Sequence, residues 1–385
     1  MRRILFIARY RDATMHRKVE YLAQANGMLI RYILPRYWQD ELLRVEQHTF
    51  DKLSTGVADS ASLQRRPIGM FGSPADPHRA FYRTLTFGMP AFRPHIIHAE
   101  EEPDSLAALQ IALARSLFAP KSKLLLHTWQ NVDRPLGPAV QAVLRITLAG
   151  ADGIFCANRE AAELLRRRGY AGPTPIIPAV GVDTESFRPR SPRLPTGPFV
   201  VGYVGRLVAE KGIDTLIDAA ARLLGDDLPR PLHLRIIGAG AEETALRRRV
   251  EEMGLAGKTE FLPPVPPSQI AQKMAELDAL VLPSRTTPVW KEQLGRVLLE
   301  AMAVGVPVIG SDSGAIPEVI GDAGLIFPEG DVELLAARLR QLIADAALED
   351  ELTRRGQARV SALYSQKELA SRTAEFYQRM ESLPL

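Results

Sequence analysis

The sequence predicts an α/β protein of two domains, each a parallel sheet covered by helices, the pair facing one central cleft. Three observations carry this prediction. At 385 residues the chain is longer than one ordinary core organises. Short apolar runs alternate with longer helical patterns along the chain, the pattern of strand–helix–strand units. A proline-dense stretch without helical periodicity, TPIIPAVGVDTESFRPRSPRLPTGP, interrupts the alternation and places the domain junction near 186–197.

In the first half RRILFIAR, MLIRYIL, HIIHAE, KLLLHTW and DGIFCAN read as strands, with helical patterns such as SLAALQIALARSLF and NREAAELLRRRG between them. The polar, Pro- and Gly-rich stretch 48–80 reads as a loop. After the junction PFVVGYVGRL, LHLRIIG, TEFLP, ALVLPS, VPVIGS and GLIFP read as strands. The helices between them are GIDTLIDAAARLL, AEETALRRRVEEMG, PSQIAQKMAEL and GRVLLEAMAVG. Residues 331–382 are helical throughout. The resulting division is an N-terminal domain over 1–190, a second domain over 191–365, and a terminal helix, 366–385, expected to pack back on the first domain. Sheets of this kind bind ligands at the carboxyl ends of their strands.

Hydrophobic content of 46% and charged content of 24% are those of a water-soluble globular protein. No apolar run approaches the ~18 residues a membrane span needs. The start, MRRILFIARYRD, is basic and then apolar, but its short ILFIA run with no small-residue cleavage site reads as a first buried strand. The single cysteine, Cys156 in DGIFCAN, excludes an internal disulfide and a multi-cysteine metal site, and fits core packing in a reducing cytoplasm. The net charge of +3 conceals an asymmetry, since residues 1–195 carry 27 Lys and Arg against 18 Asp and Glu. A basic first half suits an anionic partner, either a phosphorylated acceptor or the acidic inner face of a membrane; solvated arginines account for it equally. Nucleic acid is disfavoured, because no binding motif or dense basic run with interleaved aromatics occurs.

Three stretches carry chemistry. In VGYVGRLVAEKG a strand ends at Gly205, and Arg206 and Lys211 follow before the next helix. Two cations at a strand's carboxyl end can neutralise charge developing on a departing phosphate; the plain alternative is a solvated loop. In RIIGAGAEETAL, Gly238 and Gly240 let backbone approach a ligand closely. The third glycine of a dinucleotide fingerprint is missing, which counts against a dehydrogenase. In LVLPSRTTPVWKEQLGRVLLEAMAVG a strand ends in Pro283-Ser284 and a helix begins around Gly295, where first-turn N–H groups suit phosphate or hydroxyl oxygens. Glu292 stands just ahead of that helix and Glu300 inside it, on a face otherwise filled by Val297, Leu298 and Ala301. A buried acid needs partners. Glu292 is either a sugar contact or a cap, and Glu300 either a ribose contact or a salt-bridged structural acid.

These residues, with GVPVIGSDSGAIPEVI after them, resemble the nucleotide-binding domain of family 4 retaining glycosyltransferases, the group 1 glycosyl transferases. The likeness covers roughly 197–335 and rests on several motifs in order. The first half resembles the family's acceptor domain loosely, through HIIHAEEEPDS, LLHTWQN, FCAN and PAVGVDTESFRP. The resemblance implies the GT-B fold of two Rossmann-like domains. It implies that Arg206 and Lys211 bind the donor diphosphate and stabilise the leaving group, and that Glu292 contacts the transferred sugar. Gly205, Gly238, Gly240, Ser284, Leu294, Gly295 and Arg296 then belong to the donor site, Glu300 holds the ribose, and backbone near Pro264 and Val265 frames the base. Family members need neither metal nor cofactor, and retain the anomeric configuration by same-face attack in which the leaving phosphate assists deprotonation.

Two departures from the family stand out. The loop after the first strand, ARYRDATMHRK, has no glycine, and Arg9 or Arg11 is the candidate to contact phosphate in its place. In HTWQN the position of the family's acceptor-side histidine falls on Gln130, beside Asn131, with His127 displaced into the strand. Gln130 can hydrogen-bond a sugar but cannot act as a base. His98 reads as an acceptor contact or a structural residue. Glu100, Glu101 and Glu102 either bind acceptor hydroxyls or complement the next helix's dipole. The expected function is transfer of a sugar from a nucleotide-diphosphate sugar to an acceptor that the sequence leaves open. The alternatives are an epimerase or hydrolase of nucleotide sugars on the same fold, or a non-catalytic nucleotide-sugar binder.

Overall fold

The computed structural model describes residues 1–10, 13–25, 27–40, 45–49, 60–191 and 197–382. The chain divides into two units, Met1–Gly181 with Gln366–Leu385, and Val182–Ser365.

The first unit is built on a parallel sheet of β1 (Arg2–Ile7), β2 (Met28–Pro35), β3 (Leu63–Ile68), β4 (Ile96–Ala99), β5 (Lys123–Thr128) and β6 (Gly153–Cys156), in the spatial order β3-β2-β1-β4-β5-β6. Its central strands are near-continuous apolar runs because both faces are covered. Side chains alternate between the faces. Ile4 and Phe6 enter a core completed by α1 (Ala13–Gln24) and the terminal helix Gln366–Ser382, whereas Leu5 and Ile7 enter a second core. That second core is closed by α2 (Leu106–Phe118) and by α4 (Arg159–Arg167), with α3 (Pro138–Gly150) packed beside α2. Ser105 caps α2 by accepting from Ala108 N–H at 3.0 Å, and Asn158 caps α4 by accepting from Ala161 N–H at 2.8 Å.

The loop expected over 48–80 is partly regular. Leu63–Ile68 pairs parallel with β2 as the edge strand of the sheet, and Met70–Phe71 pairs antiparallel with Phe81–Tyr82. An edge strand needs only one ladder, so it tolerates the Arg65-Arg66-Pro67 sequence that disguised it. Residues 50–59 of that stretch lie outside the described residues.

The second unit repeats the order of the first. Its parallel strands are β7 (Phe199–Val204), β8 (Leu232–Ile237), β9 (Thr259–Leu262), β10 (Ala279–Leu282), β11 (Val308–Ser311) and β12 (Gly324–Phe327), arranged β9-β8-β7-β10-β11-β12. They include every strand read from the second half of the sequence. The crossover helices are α5 (Ile213–Arg222), α6 (Glu243–Glu252), α7 (Pro267–Ala275) and α8 (Arg296–Val304). Val182 N–H donates to Tyr364 O and Arg190 N–H to Val304 O, each at 2.9 Å, so 182–190 is tied to this unit by backbone bonds. In each sheet the strand order reverses between the first and fourth strands, which opens a crevice at their carboxyl ends. Among the described residues no helix is long and apolar enough to cross a membrane.

Candidate active site

In the second unit the crevice lies beyond the ends of β7 and β10. After β7 the chain turns through Gly205 and Arg206 to a single helical turn, Ala209–Lys211. Gly212, at φ 63°, then lies so close to the end of β10 that a Cβ would stand 2.1 Å from Pro283 O. Any side chain there would push the Lys211 loop away. On the other side, Ala315 N–H donates to Glu292 O at 2.9 Å, and a Cβ on Gly314 would stand 2.2 Å from that same oxygen. The two close approaches hold Lys211 and Glu292 against each other. Lys211 Nζ donates to Glu292 Oε2 at 2.6 Å, and Ser284 Oγ donates to the same oxygen at 3.0 Å. Ser284 is fully buried, and its carbonyl accepts from Ser311 Oγ at 2.6 Å. Lys211 Nζ also lies 4.6 Å from the centroid of the Trp290 ring, a cation–π distance.

Arg206 takes a different position. Its side chain is about half exposed and lies 3.7 Å from Glu210, while its carbonyl accepts from Tyr203 Oη at 2.7 Å. Burial and, after it, the charge of Glu292 raise the Tyr203 phenol, which keeps it a donor. Gly295, at φ 68°, precedes α8, and a Cβ on it would meet Leu282 Cδ2 and Leu298 Cδ1 at 3.0 Å. Leu294 beside it is buried, and the first turn of α8 follows directly, with the positive end of the helix dipole there. Glu300 is buried and accepts from Arg296 Nε at 2.7 Å, one turn away. Val265 sits half-buried between β9 and α7.

Gly238 and Gly240 differ from the sequence reading in what they approach. A Cβ on Gly238 would stand 1.8 Å from Gly205 O, and one on Gly240 2.1 Å from Leu207 O. The turn after β7 lies directly against the turn after β8, joined by Leu207 N–H to Ala239 O at 2.9 Å. The absence of side chains at these glycines is accounted for by close packing of two turns.

The acceptor-side candidates lie in the first unit, within or after β1, β4 and β5, and most of them face inward. The Arg9 guanidinium donates to the carbonyls of Asp76 and Pro77 and to Glu101, so it ties the 74–77 loop to the sheet rather than presenting itself to a phosphate. Arg11 lies outside the described residues. Glu101 also accepts from Tyr82 Oη at 2.9 Å and is 1% exposed. Glu100 accepts from Lys18 Nζ at 2.9 Å and from Tyr10 Oη, and Lys18 itself is fully buried. Glu102 accepts from Thr128 Oγ1 at 2.7 Å and Trp129 N–H at 2.8 Å, and burial pushes its carboxyl up to about 7. None of the three acids caps the following helix; Ser105 does.

His98 is fully buried, stacked on Phe155 with centroids 4.5 Å apart, and its Nδ1 lies 2.5 Å from Tyr377 Oη. Burial holds it well below the usual histidine range, so it is a neutral structural residue. His127 is likewise buried and pushed down to about 3. Asn131 is buried and donates to Glu160 Oε2 at 3.1 Å. Gln130 is half-buried, with its N–H on Thr128 Oγ1 at 3.1 Å. Lys18 escaped the sequence reading, although its place among Met15, Val19 and Leu22 on an amphipathic helix was a signal that it points inward. Trp290, Gly212 and Gly314 also escaped, because their roles depend on chain segments far away in sequence. Among the described residues no group of three or more His, Cys, Asp or Glu side chains is placed to hold a metal ion.

Two doubly wound parallel-sheet units, one with a lysine–carboxylate pair at its switch point, make up a GT-B fold. The solved structure of Anabaena Alr3699/HepE in complex with UDP shares the fold, with a TM-score of 0.70 and 19% identity, over 98% of this chain and 100% of that one. Residues 185–359 match the family model of Glycosyl transferases group 1. The chain is 30% identical over 287 residues to the GDP-mannose-dependent alpha-(1-6)-phosphatidylinositol monomannoside mannosyltransferase of Mycobacterium tuberculosis, covering 70% of this chain and 73% of that protein. It is 29% identical over 223 residues to the D-inositol 3-phosphate glycosyltransferase of Corynebacterium urealyticum, where the match spans 53% of this chain and about half, 51%, of that relative's length. The chain belongs to the group 1 glycosyl transferases.

Proposed function

We propose that the protein is a retaining glycosyltransferase of family 4 that moves a hexose from a nucleotide-diphosphate sugar to an acceptor hydroxyl without a metal. The observation that carries this reading is the convergence of Lys211, Glu292 and Ser284 beyond β7 and β10, beside the start of α8. Lys211 and Arg206 take the donor diphosphate, and their charge stabilises the phosphate as it departs with the electron pair of the sugar C1–O bond. Glu292, held by Ser284 and Lys211, orients the sugar hydroxyls. Glu300 accepts from the ribose, with Arg296 beside it. The acceptor oxygen attacks from the face the phosphate leaves, and its proton passes to a phosphate oxygen. A nucleoside diphosphate donor is supported by the UDP in the Anabaena neighbour and by GDP-mannose in the name of the mycobacterial relative. With a single cysteine, Cys156, the chain makes no internal disulfide, which suits a reducing compartment, and the cytoplasm is proposed.

The test incubates the protein with a panel of UDP-, GDP- and ADP-sugars and follows nucleoside diphosphate release with and without candidate acceptors. Release accelerated by an acceptor is the expected result. Acceptor-independent release identifies a hydrolase, and tight donor binding without release overturns the catalytic reading.

A further inference from the structure

Helices α2 and α3 lie side by side on the first unit, with Gly150 backed onto Ala112. Their outward surface is apolar. On α2, Leu106, Leu113 and Leu117 share one stripe and are 40%, 49% and 73% exposed, and Phe118, round the helix from it at the last turn, is exposed too. On α3, Val140 and Ile146 are exposed as well. A helix facing water ordinarily carries mixed charge on its outer face. Neither LAALQIALARSLF nor PAVQAVLRITLAG contains an acid, and their only charged residues are Arg115 and Arg145.

The surroundings are basic. Phe118 forms part of the rim of an open hollow of about 550 Å³ lined by Arg3, Arg93, Lys121 and Lys123. The hollow lies at the amino ends of β1, β4 and β5, the opposite end of the sheet from Arg9 and Glu101. The acids nearby are engaged: Glu381 pairs with Arg2 at 2.6 Å, and Asp152 with Arg115 at 3.3 Å and Lys123 at 3.4 Å.

We propose that the α2–α3 face and the adjoining hollow dock the protein on an anionic lipid bilayer. Leu113, Leu117, Phe118 and Ile146 enter the acyl boundary, while Arg145, Lys121 and Arg93 meet lipid phosphates. Apolar side chains flanked by cations match the two chemical layers of such a surface. A second copy of the chain fits less well. A symmetric contact through this face would set Arg145 and Lys121 against like charges, with no acid on either helix to receive them.

Sedimentation with vesicles tests this without any donor or turnover, so its outcome is independent of the transferase reading. The protein should bind vesicles of equal phosphatidylglycerol and phosphatidylcholine, bind pure phosphatidylcholine weakly, and dissociate as salt rises. Leu117→Glu should lower the partition coefficient about tenfold, and Lys121→Glu about fivefold. Met253→Glu, an exposed apolar position in the second unit, should leave it unchanged. Ile146→Glu serves as a second reading on α3 should Leu117→Glu alter the thermal melt. Absence of binding to phosphatidylglycerol vesicles overturns the proposal, as does binding indifferent to the Leu117, Ile146 and Lys121 substitutions. A dimer in lipid-free solution that these substitutions dissociate assigns the face to a second copy instead.

Discussion

Both sheets gather charged side chains beyond their first and fourth strands, yet the two gatherings meet solvent differently. In the first unit Lys18 and Glu100 are 0% and 3% exposed at their side chains, and Arg9 and Glu101 are 9% and 0%. In the second unit Lys211 and Glu292 are 14% and 11% exposed, and Arg206 is 53%. A buried pair has lost its hydration and is held by its protein partners, among them Tyr10 and Tyr82 on the acids, so neither member is able to leave. A pair at the edge of water retains the freedom to exchange one partner for a ligand oxygen. One strand order therefore supports two uses of charge: locking the chain in the first unit, and offering charge to a substrate in the second.

The contrast can be broken at its strongest point first. Lys18→Ala leaves Glu100 buried without its ammonium and should destabilise the protein by ~3–5 kcal/mol in urea unfolding. Lys18→Met with Glu100→Gln should recover much of that loss. A Lys18→Ala protein as stable as the parent would remove the locking role. Lys211→Ala should leave the unfolding midpoint close to the parent while turnover falls by ~10²–10³, or about 3–4 kcal/mol of transition-state stabilisation. Unchanged turnover would erase the difference between the two units.

Glu102 sharpens the comparison through pH. Burial raises its carboxyl from 4.5 to about 7, so between those values the folded chain holds a proton that the unfolded chain has released. Its contribution to stability is complete below the lower value and is lost as pH rises through the upper one. Between about pH 5 and about pH 8 the parent should lose on the order of 2–3 kcal/mol relative to Glu102→Gln. Parallel pH profiles for the two proteins would show that Glu102 titrates normally. The smallest effect is expected from Gly314→Ala, whose Cβ would press on Glu292 O at a left-handed φ of 53°. A loss of about 1–2 kcal/mol in stability with weakened donor binding by calorimetry is the expected outcome.

The fold was legible where burial makes a strand uniformly apolar, as in KLLLHT and ALVL, and illegible where an edge permits polar residues, as in LQRRPI. The second-unit site was legible for a related reason. Arg206, Lys211 and Glu292 lie in the connections between β7 or β10 and the helix that follows, so placing strand and helix places them. The first-unit network was not. Lys18 and Glu100 are 82 positions apart, and although the apolar neighbours of Lys18 on its helix hint that it points inward, nothing local names the acid it meets. His98 and Glu101 stand at a strand end as a ligand residue would, and only the packing of Tyr377, Phe155 and Arg9 around them reveals that they turn inward.

The terminal helix has a consequence for how the protein is made. Leu369, Phe376, Tyr377 and Met380 fill one face of the sheet whose first strand is Arg2–Ile7, with the whole of Val182–Ser365 lying between them in the chain. On the ribosome that face, which α1 covers only in part, stays incomplete until residues near 380 emerge, after every strand of the second unit has been made. The order of completion is thus the reverse of the order of synthesis.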